Sequence, residues 1–118
     1  MQRDWDVIRK ILLEVEALPT EDSVLRSTEL MDVDAETVAY HMRLLLEADL
    51  IVGSCRDALG PPLCHASRLT WAGHEFLDQI KNASLWRQIK ATARSKSVDL
   101  SFAVIKDLAK ALIASIIL

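Results

Sequence analysis

Glycine, proline and cysteine are all scarce in this 118-residue chain, which has three glycines, three prolines and two cysteines. Three glycines set well apart leave nothing from which to build a phosphate-cradling loop, and no nucleophile elbow is present. Two cysteines, Cys55 and Cys64, are few for a disulfide-stabilised extracellular domain; they could face each other across a hairpin, yet would stay reduced in the cytoplasm. Cys55, Cys64, His65 and His74 lack the Cys-x-x-Cys or His-x-x-x-His steps of structural zinc sites, so neither metal nor cofactor is expected. No apolar run is long enough to span a bilayer, and Met-Gln-Arg-Asp-Trp-Asp is too polar an opening for a signal peptide. The expectation is a cytoplasmic protein with no membrane partner.

What is present is a globular composition, 51% hydrophobic and 26% charged, at a length that suits a single domain, 1–118. The formal net charge is −3 but unevenly spread. From Thr20 to Asp49, eight acids face only Arg26 and Arg43; from Lys81 to Lys96 there are five bases and no acid. The chain is electrically polarised.

Periodicity predicts the elements. Trp5, Ile8, Ile11, Leu12 and Val15 form one stripe of a helix from Asp4 to about Ala17, which Pro19 ends. Thr20 to Met31 reads as a short extended piece and an irregular turn. Asp32 or Asp34 then caps a helix with Val38, Met42, Leu45 and Ala48 on its inner face, and Asp49 falls where a left-handed C-terminal residue belongs. Ile51–Cys55 and Leu63–Thr70 form a hairpin with a proline-bearing tip, after which Thr70 caps another helix. Ser84 to Ser95 places Leu85, Trp86 and Ile89 inward, and Ser97 to Asp99 starts a last helix. This is a mainly α chain with a small β-hairpin, α+β in class, with 1–80 as its core and 81–118 as a C-terminal helical extension.

The run Thr37-Val38-Ala39-Tyr40-His41-Met42-Arg43, then Leu45 and Glu47-Ala48-Asp49-Leu50-Ile51, resembles the recognition helix and wing entry of bacterial winged helix-turn-helix regulators. Leu69-Thr70-Trp71-Ala72-Gly73 resembles the segment that closes the wing in that group. Asp49 stands where the pattern has glycine, and aspartate tolerates the left-handed conformation. With the opening Arg3-Asp4-Trp5-Asp6-Val7-Ile8-Arg9-Lys10, these blocks are similar to a bacterial and phage family catalogued as domain of unknown function twenty-five thirteen. The resemblance implies a winged-helix fold and a phage or prophage setting, and no activity.

A DNA-binding, transcription-regulator-like role follows from the winged-helix resemblance. Thr37, Tyr40 and Arg43 would enter the major groove of double-stranded DNA, and Arg56 and Arg68 would touch phosphate. Against it, Asp34, Glu36, Glu47 and Asp49 oppose Arg43 alone on the central helix, a charge that repels the DNA backbone. Arg87, Lys90 and Arg94 share a face of the later basic helix and would supplement the contact, or form an ordinary solvated face. The alternative is a module that binds a host protein and no DNA, through that acidic face or through Leu44 and Leu46, apolar where the helix should face outward. The last helix is apolar over more than one stripe: Ile105, Leu108, Leu112 and Ile116 cover its own core, which leaves Val104, Ile113 and Ile117 for a homodimer interface. Nothing indicates catalysis, and an enzyme is not expected.

Overall fold

Asp4 opens the first helix, α1 (Trp5–Glu16), by accepting backbone N–H bonds from Asp6 and Val7 on its carboxylate. This computed structural model describes residues 1–57 and 59–117, the Ile117 side chain excepted. It divides into two compact units, Met1–His74 and Glu75–Leu118, with five helices and three strands among the described residues, an α+β chain.

In the first unit α1 is followed by the two-residue strand β1 (Leu25–Arg26). Residues 27–34 then form turns with no helix, where a helix-turn-helix would carry its scaffold helix. Side chains and burial hold this segment in its place. The Ser27 amide donates to Cys64 O at 2.9 Å, and Ser27 Oγ accepts from the Cys64 amide at 3.1 Å. Glu29 accepts from the Arg26 amide at 2.8 Å, Lys10 Nζ donates to Met31 O at 2.7 Å, and Leu30 is buried.

The central helix α2 (Ala35–Glu47) starts at Asp34 and buries Val38, Ala39, His41, Met42 and Leu45. Ala48, expected on the inner face, is exposed because it already lies at the C-cap. Asp49 takes φ 58°, its amide donating to Leu46 O at 3.1 Å and that of Leu50 to Leu45 O at 2.9 Å. That paired bonding is a Schellman ending, and it turns the chain into β2 (Ile51–Arg56).

Strand β3 (Leu63–Leu69) pairs antiparallel with β2 on one side and β1 on the other, giving the sheet order β1-β3-β2. The register slips between Val52 and Gly53, opposite Arg68 and Ala66, so Ser67 is the extra residue of a bulge; its hydroxyl donates to Val52 O at 3.0 Å. Helix, short strand, helix and hairpin make a winged-helix-like arrangement. Its core is Ile8, Ile11, Leu12 and Val15 from α1 with Val38, Met42 and Leu45 from α2, closed by Leu25, Ile51, Ala66 and Leu69 of the sheet.

Cys55 and Cys64 are directly opposed across β2 and β3 with Cα atoms 4.0 Å apart, and they form a disulfide. This corrects the expectation of a reduced pair: register alone brings the two sulfurs into bonding range.

Thr70 caps α3 (Trp71–Ile80), its hydroxyl accepting from the Gly73 amide at 3.0 Å while donating to Asp49 O at 2.6 Å. In the second unit α4 (Ala83–Ser95) is capped by Asn82 and buries Trp86, Ile89 and Ala93; Leu85 is half-buried. Ser97, at φ 55°, ends it with a second Schellman pair. The last helix therefore begins later than expected: α5 is Phe102–Ile117, with Ser101 Oγ accepting from the Val104 amide at 3.1 Å. Among its described side chains Ile105 and Ala109 are buried, and the Phe76 and Phe102 rings meet edge to face at 4.9 Å. Ile116, expected in the core, is 71% exposed.

Candidate functional site

The outward face of α2 is built by the cap that starts the helix. Asp34 accepts the Thr37 hydroxyl at 2.8 Å and the Thr37 amide at 3.0 Å. These two bonds, the hydroxyl first, hold the Asp34 carboxyl below its ordinary pKa. The Thr37 hydroxyl proton is thus committed to its own helix end, and the half-buried side chain can meet a ligand only as an acceptor or through its methyl group. Tyr40 is half-buried with its ring edge-on to His41, centroids 5.3 Å apart.

His41 itself is fully buried, which suits the packing role expected of it. The Asp4 amide can only donate, so Nε2, 2.8 Å away, accepts; Nδ1 therefore carries the proton and donates to Thr37 O at 2.8 Å. One imidazole ties the start of α1 to the first turn of α2.

Arg43 pairs with Asp57 at 3.0 Å. The bond joins α2 to the end of β2, at the residue that follows Arg56 in sequence. Arg68 is exposed on β3, opposite Val52 at the other end of the hairpin, with its guanidinium 3.5 Å from Leu69 O. The predicted α2 and wing residues therefore do not form one cluster: Thr37, Tyr40 and Arg43 follow α2, Arg56 joins them through Asp57, and Arg68 stands apart. Leu44 and Leu46, expected to face outward, are half-buried.

In the second unit Arg87 and Arg94 are exposed on α4, and Lys90 is half-buried with Nζ 5.5 Å from the Trp86 ring centroid. On α5 Val104 is half-buried and Ile113 is 40% exposed; the Ile117 side chain lies outside those described. Among the described residues no helix is long and apolar enough to cross a membrane.

Residues 2–99 match the family described as Hypothetical protein (DUF2513). The chain belongs to that family. A relative from Haemophilus influenzae, named only as an uncharacterized protein, is 40% identical over 117 residues, 99% of each chain. No solved structure matches.

In this DUF2513 chain the sequence overlooked the outer face of the sheet. Arg26, His65 and Ser54 stand side by side there because β1 joins the sheet against β3 rather than against its neighbour in sequence. Alternation within β3, with Cys64 and Ala66 buried and His65 half-exposed, was the available signal, and a two-residue strand was too short to show its partner.

Proposed function

We propose that this chain is a non-enzymatic winged-helix protein of the transcription-regulator kind, which docks on double-stranded DNA with α2 and the wing. The observation that supports it is the Arg43–Asp57 bond, which ties a helix arginine to the end of the wing strand that carries Arg56. Both partners of that bond are solvent-exposed, and such a pair contributes only ~0.2–1 kcal/mol. Arg43 can exchange Asp57 for a phosphate at little cost, while Arg56 and Arg68 supply further phosphate contacts. Tyr40 then offers the hydroxyl on the groove side, and Thr37 acts through its methyl group.

A salt series on random duplex DNA tests the reading. Affinity should fall steeply with added salt, and Arg56→Ala should lower the slope by about one. No binding at low salt by a protein that is still folded sinks it.

A second reading is favoured by the acid surplus on α2, where Asp34, Glu36, Glu47 and Asp49 face Arg43 alone. Under it the module docks on a basic face of a host protein, as a phage or prophage product would, with the exposed flanks of Leu44 and Leu46 adding apolar contact. Charge reversal at Glu36 and Glu47 would then abolish partner capture, whereas it should strengthen DNA binding under the first reading. In either case α5 pairs with a second copy through Val104 and Ile113. Sedimentation of wild type against Ile113→Asp measures this, and identical monomers remove it.

A further inference from the structure

The outward face of the sheet carries Arg26, His65 and Ser54, which neither reading of α2 uses. Register places Arg26, His65 and Ser54 in one row across β1, β3 and β2, with Leu63 and Arg56 forming the next. These five side chains line a single cleft of about 460 Å³, which Val24 and Thr28 help to wall. That volume falls within the roughly 300–1,000 Å³ of small-molecule sites, which combine an apolar lining with a few convergent polar groups.

The charges facing the cleft are mainly cationic. Arg26 lies 3.6 Å from Glu29, both side chains being well exposed, so the pair is weak and the guanidinium keeps donors to spare. Asp57 is engaged by Arg43, and among the described residues no carboxylate lies within ion-pair distance of Arg56. Guanidinium forks match phosphate and carboxylate oxygens bidentately, and the Ser54 and Thr28 hydroxyls and the His65 ring offer further bonds. Val24 and Leu63 present aliphatic surface beside them.

We propose that this cleft binds a small organic anion, a phosphate monoester or carboxylate with an apolar body. The anionic head lies between Arg26 and Arg56, and the body lies on Leu63 and Val24. The site shares Arg56 with the DNA reading, whereas Arg26, His65 and Ser54 take no part in that reading.

Phenyl phosphate titrated into the full chain, followed by amide NMR, tests it. Saturable shifts are expected at Arg26, Ser54, Arg56 and His65, with affinity at least about tenfold lower in Arg26→Gln and in Arg56→Gln, each checked for an otherwise unchanged spectrum. Inorganic phosphate should bind at the same residues more weakly; equal affinity refutes the apolar half of the site. Absence of saturable shifts at these residues overturns the proposal. Arg26→Gln keeps the two proposals apart, as it should leave the salt dependence of duplex binding unchanged.

Discussion

Replacing glycine by alanine inside a helix ordinarily stabilises it by ~0.5–1 kcal/mol, since alanine loses less backbone entropy on folding. At Gly73 the expected sign is the opposite. Gly73 lies in the first turn of α3, packed on the corner where α2 enters β2. A Cβ there would overlap the Leu50 carbonyl oxygen and stand 3.0 Å from the carbonyl carbon and 3.3 Å from Leu69 Cβ. Neither side can yield cheaply. Leu50 O accepts the Thr70 amide at 3.0 Å, and Thr70 in turn grips Asp49 O and the Gly73 amide. Moving the carbonyl aside therefore strains the Schellman turn and the α3 cap together. Overpacking of this kind costs ~1–3 kcal/mol, more than the propensity gain. Gly73→Ala should lower the melting temperature by roughly 3–10 °C for a chain of this size. Thermal unfolding followed by circular dichroism measures it, with Ala72→Gly, at the exposed neighbour, as the pure propensity control. A Gly73→Ala protein as stable as wild type refutes the close-packing account of this corner.

Four further outcomes are expected. Asp49 sits at φ 58°, so Asp49→Gly should be more stable than Asp49→Ala by about 1–2 kcal/mol in denaturant titrations; equal midpoints would show that the turn tolerates any side chain. His41→Ala leaves the Asp4 amide unpaired and a void between α1 and α2, and should cost ~2–4 kcal/mol, a loss that a surface histidine would not give. Asp34 has a lowered carboxyl pKa, so the folded protein binds fewer protons there than the unfolded chain; its contribution is complete above the ordinary aspartate value and fades as pH falls through the lowered one. Asp34→Asn, which still caps, should flatten that acid-side decline, and an unchanged profile refutes the assignment. Reduction of Cys55–Cys64, nine residues apart in sequence, should cost ~2–3 kcal/mol through loop entropy, seen as a melting shift with dithiothreitol that Cys55→Ser abolishes. Complete thiol titration of the protein as isolated contradicts the bond.

Much of the fold was legible because its signals are local. Asp34 and Thr70 are caps whose short side chains reach their own helix, and the apolar steps of α1 and α2 point to the residues that are buried. Asp49 announced its left-handed turn because it follows a helix and precedes a β run. The candidate site was less legible. Thr37 and Arg43 were readable as groove residues by position, yet whether a hydroxyl or guanidinium is free depends on what else comes near. For Arg43 that neighbour is Asp57, fourteen residues away.

The chain's own order of residues determined the helices, their caps, the hairpin and the uneven charge, since each depends on spacing within a few positions. Tertiary structure decided where β1 pairs, which arginine Asp57 binds, and that Gly73 must lack a side chain. Each of these depends on two segments approaching within a few ångströms. No local pattern records such an approach, because its cause is the shared burial of α1, α2 and the sheet.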